Sequence, residues 1–121
     1  MEANIEKKMD ALNLMLRQIE EKQDENREAS NQLNRREQDW YDLSRTGSRV
    51  IDRVTERWRE DRDIGWFLED ARLEFRQAEQ RCTYELEEEK ERLGKEKRVL
   101  MDQEDDCYYE RRKLSLEGGS Q

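Results

Sequence analysis

The sequence has no histidine and no proline, only 5 glycines and only 2 cysteines. Without histidine the chain lacks the commonest general base and the commonest metal ligand. Without proline, nothing removes a backbone donor or clashes with a preceding turn to break a helix. The only adjacent glycines, Gly118 and Gly119, stand near the C-terminus, so no glycine-rich loop exists to cradle a phosphate. On one continuous helix Cys82 and Cys107 would lie about 37 Å apart, far beyond disulfide reach. Two such distant thiols cannot close a zinc site, and both are expected to stay reduced. No apolar run approaches the length of a membrane span, and no basic start leads into an apolar stretch. Cytosolic synthesis follows, with no membrane insertion.

Charge fills the space that these residue types leave. Of 121 residues, 46% are charged and 32% hydrophobic, against roughly a quarter and nearly half in an ordinary globular domain. A compact globule of this length needs more buried surface than that. The abundance of Glu, Lys, Arg, Leu and Gln instead favours long helices that bury one narrow stripe. The 32 acids and 24 bases are interleaved and sum to −8. No basic face is available to neutralise a phosphate backbone or meet an anionic bilayer, which argues against nucleic acid and membrane partners.

The spacing of apolar residues settles helix over disorder. One row, seven residues apart, reads Ile5, Leu12, Ile19, Asn26, Leu33, Trp40, Gly47, Val54. Its companion reads Met9, Leu16, Gln23, Ser30, Glu37, Ser44, Ile51, Trp58. This alternation of three and four is the stripe of a helix in a coiled-coil-like packing. The stripe turns polar around Gln23, Asn26 and Ser30, a zone suited to fixing register or to admitting a partner helix. Ser44–Ser48 is a second, less favoured site for the hairpin turn: it is richer in weak helix formers and its Gly47 costs about 1 kcal/mol relative to Ala in a helix interior, but the register runs through it unshifted.

The stripe stops at Arg59-Glu-Asp-Arg-Asp63, a wholly charged stretch at mid-chain. The hairpin turn is placed there, near residues 59–63, with Asp61 or Asp63 able to cap the next helix. Helix one is predicted at about 2–58 and helix two at about 64–115, in a single domain over 1–117 followed by a flexible tail at 118–121. Helix two opens with Ile64, Trp66, Phe67 and Leu68, continues through Ala71, Phe75, Ala78 and Cys82, and settles into Leu86, Leu93, Leu100, Cys107 and Leu114. Its 78, 82, 86 step slightly unwinds a supercoil. The predicted fold is all-α: an elongated antiparallel two-helix hairpin in which positions summing to about 122 face each other. Trp40 then meets Cys82, and Leu12 lies near Cys107. The aromatics around the turn predict that this end is the best packed.

Chemistry is scarce on such a scaffold. The runs Glu87–Glu89 and Glu104–Asp106 are acidic, but a two-helix hairpin has no pocket to shift their pKa values. Glu104–Asp106 also lacks the alternating oxygens and central glycine of a calcium loop. No enzyme, metal or cofactor is expected. Trp66, Phe67 and Leu68 cannot all face one stripe, so at least one projects outward as a binding anchor. Tyr108 and Tyr109 pose the same question further along. A lone pair of helices with polar seam positions buries little, so a second copy or another protein's helices are expected to complete it.

The segments Trp58-Arg-Glu-Asp-Arg-Asp-Ile-Gly-Trp-Phe67 and Leu100-Met-Asp-Gln-Glu-Asp-Asp-Cys-Tyr-Tyr-Glu-Arg-Arg112 resemble a family of small helical proteins. These are encoded beside LXG toxins of the Gram-positive type VIIb secretion system and are similar to WXG-type hairpins. The resemblance spans essentially the whole chain. It implies a chaperone or targeting factor that, with a sister small helical protein, binds the helical N-terminal domain of an LXG toxin and presents it for export. It also implies a cytoplasmic protein that can leave with its cargo without a cleavable signal peptide. Trp58, Gly65 and Trp66 would take the place of the WXG turn, although no Trp-x-Gly tripeptide occurs. Tyr84-Glu-Leu-Glu-Glu88 fits the letters of a Tyr-x-x-x-Asp/Glu export signal but lies mid-helix. The partner-binding candidates are Trp58, Gly65, Trp66, Phe67, Leu86, Leu93, Leu100, Tyr108 and Tyr109. The alternative is a homo-oligomeric coiled-coil scaffold or spacer, with a homodimer as its simplest form.

Overall fold

The computed structural model describes residues 2–119, with the backbone alone for Gly119. Within them the chain forms α1 (Glu2–Arg57) and α2 (Arg62–Gly119), which pack against each other as an antiparallel hairpin. α1 runs unbroken through Ser44–Ser48. α2 includes Gly118 and Gly119, which the sequence assigned to a flexible tail; Ser120 and Gln121 lie outside the described residues.

The turn shows why a stretch without glycine or proline can reverse the chain. The Trp58 amide donates to the Val54 carbonyl at 3.1 Å and closes α1; the Asp61 amide then donates to the Trp58 carbonyl at 3.0 Å. No described residue has a positive φ, so the reversal needs no glycine. Asp61 caps α2. Its Oδ1 accepts from the amides of Asp63 at 3.1 Å and Ile64 at 3.2 Å, two donors that the first helical turn would leave unpaired. Its own carbonyl accepts from the Gly65 amide at 2.9 Å. Asp63 adds a negative charge in the first turn, where the helix dipole favours it.

The chain divides into two compact units: Met1–Ser30 with Glu91–Gln121, and Asn31–Lys90. In the first, Ile19, Leu100 and Cys107 form a buried cluster against which Leu12 and Leu16 pack, and Leu93 and Leu114 are also buried. Each such leucine contributes roughly 1.5–3 kcal/mol by leaving water. Asn26 is buried among them and donates from Nδ2 to the Leu93 carbonyl at 3.0 Å and to Glu96 Oε1 at 3.1 Å. The polar seam position is therefore satisfied by the opposite helix. An apolar residue would tolerate a slip along the stripe, whereas Asn26 loses its partners in any other register.

In the second unit Leu33 and Leu68 are buried. Gly47 lies under the Phe75 ring: a Cβ added there would sit 2.7 Å from both Cε2 and Cζ. The glycine in the seam thus marks a close helix–helix approach. Polar seam residues find cross-helix partners here too. Ser44 donates to Glu79 and Lys90 pairs with Glu37, while Arg72 donates to Asp52 at 3.0 Å and to the Thr55 hydroxyl at 3.2 Å. The Lys90 ammonium is held above the ordinary lysine range chiefly by its hydrogen bond to Glu37, with desolvation opposing.

The expected pairing register holds within each unit, as Gly47 against Phe75 and Ile19 with Leu100 show. The expected tight packing at the turn does not. Of the aromatics placed there, Trp58 is 44% exposed and Trp66 and Phe67 are each 70% exposed. Leu68 alone among Trp66, Phe67 and Leu68 turns inward. The physical reason is the turn itself: α1 ends at Arg57, so Trp58 leaves the stripe. No large side chain among the described residues is completely buried.

Candidate protein-interaction surface

The surface holds large apolar side chains that the helix pair leaves in water. Near the turn, Trp66 and Phe67 project from the first turns of α2 because Leu68 occupies the inward position. Between the helix ends lies a groove of about 500 Å³ whose walls include Trp58, Trp66 and Leu68, with Arg59, Arg62 and Arg72 at its rim. Gly65 opens into this groove, and nothing lies within 4 Å of a Cβ placed on it. Glycine is thus not sterically required there. The groove combines apolar walls with guanidinium groups, the chemistry of a peptide or helix anchor site.

A second groove, of about 410 Å³, lies in the same unit and is floored by Leu33, Trp40, Cys82 and Leu86. Cys82 is half-buried and its thiol is free, as is that of buried Cys107. Elsewhere in this unit Tyr41, Leu43, Val50, Leu73 and Tyr84 are exposed. The Tyr84 hydroxyl donates to Glu88 Oε1 at 2.7 Å, so both ends of the Tyr84–Glu88 letter match lie on one exposed helix face.

In the unit containing both termini, a groove of about 550 Å³ is lined by Met9, Asp105, Tyr108, Arg111, Arg112 and Ser115. The Arg111 guanidinium sits 5.7 Å from the centre of the Tyr108 ring, within cation–π range. Tyr108 and Tyr109 are 46% and 59% exposed.

The residues expected to meet a partner therefore divide. Trp66, Phe67 and Tyr109 are presented to solvent, Trp58 and Tyr108 partly so, and Leu86 lines the second groove. Leu93 and Leu100 are each only 4% exposed; they pack into the seam between the two helices of the hairpin. Heptad reasoning could not separate these classes, because a leucine that fills the intramolecular seam and one that fills an intermolecular seam read alike. Leu73 escaped notice because a single exposed leucine is ordinary; its signal is its place on the face of Trp66.

A family model described as "Protein of unknown function (DUF3958)" matches residues 7–114. The chain belongs to this family. No curated protein and no solved structure matches it. The DUF3958 match covers both helices and the turn, including the capping Asp61, the seam Asn26 and Gly47, and the exposed Trp66 and Phe67. Among the described residues no cluster of ligands suits a metal ion, and no helix is long and apolar enough to cross a membrane.

Proposed function

We propose that this DUF3958 chain is a non-catalytic adaptor that binds the helical N-terminal domain of an LXG toxin, together with a second small helical protein, and directs the toxin to the type VIIb secretion machinery. The adaptor is cytoplasmic and travels with its cargo or delivers it. The observation that carries the binding role is the exposure of Trp66 and Phe67, each 70% accessible, beside a buried Leu68. Large aromatics in water are costly unless a partner covers them, and their burial at a protein interface supplies anchor energy. The LXG target and the sister protein rest on the resemblance of the Trp58–Phe67 and Leu100–Arg112 segments. The exposed Tyr108–Tyr109 pair in the second of these segments supports a second contact region.

The test is co-purification of the chain with an LXG domain and the sister helical protein encoded beside it. A ternary complex is expected, and Trp66→Ala should weaken capture while leaving the helix content of the free chain unchanged. Wild-type protein that captures neither partner would end this reading. Equal loss of helix and of capture in the variant would reassign Trp66 to structural support. The homo-oligomeric scaffold remains the second reading, favoured by seam groups such as Asn26 that are satisfied within the chain; a sharp melt of the isolated chain without partners would support it.

A further inference from the structure

Trp66, Leu73 and Tyr84 of α2 are 70%, 56% and 61% exposed. Steps of seven and eleven residues are about two and three helical turns, so the three side chains share one face. This face lies opposite the inward row of Leu68, Phe75, Cys82 and Leu86, and it carries charge in an ordered way. Arg62 stands near the Trp66 end and Glu87 near the Tyr84 end, both on one flank. Asp70 and Arg81 stand between them on the other flank. None of these four charges makes an ion pair within the chain among the described residues.

Turned end for end, this face complements itself. Laid antiparallel on a copy of itself, Trp66 meets Tyr84, Arg62 meets Glu87 and Asp70 meets Arg81. All three pairs share one centre, at about residue 75. Antiparallel helices bring like flanks together, which is how each charge pair is distributed. Leu73 falls beside that centre, so the two copies of Leu73 sit together on the axis. Asp63 and Glu88 meet at the rim, and Arg76 and Glu74, on opposite outer edges near the centre, each fall beside their own copies; solvent screens these like-charge contacts.

We propose that the outer face of α2 is an isologous dimer interface, with a second copy of this chain lying antiparallel across Trp66, Leu73 and Tyr84. Two-fold symmetry makes every pair occur twice. The contact spans about 37 Å from Arg62 to Glu87 and is one helix wide. That is small against the roughly 1,600 Å² of a standard interface, so the dimer is weak and forms in the micromolar range. The proposal does not depend on the toxin-adaptor role. A toxin or sister protein that needs this same face would compete with the dimer and release monomer.

Sedimentation equilibrium of the full chain, carried to hundreds of micromolar, tests it. The wild type is expected to show a monomer–dimer equilibrium. Asp70→Arg and Arg81→Glu should each weaken dimerisation about tenfold, since each reversal turns two attractive contacts into repulsive ones. The double variant D70R/R81E should restore it, because arginine at position 70 then meets glutamate at position 81 of the other copy. Arg62→Glu with Glu87→Arg provides a second reciprocal pair, and circular dichroism verifies that every variant remains helical. A wild type that is monomeric throughout overturns the proposal. So does a dimer indifferent to the single reversals, or one weakened by them that neither double variant restores.

Discussion

Replacing Gly47 and Gly94 by alanine makes one substitution in two environments. Both glycines lie inside helices, where alanine is favoured by about 1 kcal/mol. Gly94 has nothing within 4 Å of an added Cβ, so Gly94→Ala should realise that gain in full. At Gly47 the added methyl would stand 2.7 Å from two carbons of the Phe75 ring, a distance that requires movement. Overpacking of this kind costs about 1–3 kcal/mol. Phe75 is only half-buried and can swing partly aside, but doing so strips the seam of its contact. Taking the middle of that range against the helix gain leaves Gly47→Ala destabilised by about 1 kcal/mol. The two variants should thus move in opposite directions, separated by about 2 kcal/mol. Thermal denaturation followed by far-ultraviolet circular dichroism reads this as a higher midpoint for Gly94→Ala and a lower one for Gly47→Ala, each by several degrees. Phe75→Leu should abolish most of the penalty at position 47, which a double-mutant cycle measures. If Gly47→Ala stabilises as much as Gly94→Ala, the close approach of the helices at Phe75 does not exist.

Three further outcomes follow from the same geometry. Asp61→Ala removes the oxygen that caps α2 and should cost about 1 kcal/mol, read from urea denaturation; an unchanged midpoint would mean that another group caps the helix. Asn26→Leu should raise the unfolding free energy by about 1 kcal/mol while loosening register, visible as doubled amide resonances; a large loss of stability would show that Asn26 serves strength and not alignment. Because the folded-state pKa of Lys90 is raised, the Glu37 pairing stabilises fully below the ordinary lysine range and is lost as pH climbs through the raised value. Lys90→Met should remove that alkaline component, and a pH–stability curve identical to wild type would refute it.

Much of the hairpin is legible in the residues alone. The rows from Ile5 to Val54 and from Leu86 to Leu114 have helical period, and the charged stretch between Trp58 and Ile64 interrupts the apolar stripe where the turn falls. Together they set the pairing in which Gly47 faces Phe75. The site is less legible. Trp66, Phe67 and Leu68 announce that something must project outward, but not which.

The sequence by itself determined the two helices, their antiparallel pairing and the capped charged turn, because period, capping chemistry and the absence of helix breakers are local properties of the chain. Tertiary structure decided which apolar residues the hairpin uses and which it leaves over. Leu93 and Leu100 vanish into the seam while Trp66 and Phe67 stay in water, since burial depends on where the opposite helix ends and how closely it approaches. The same is true of Asn26 and Gly47. Each looks like a defect in a heptad row until the facing helix supplies a carbonyl for one and an aromatic ring for the other.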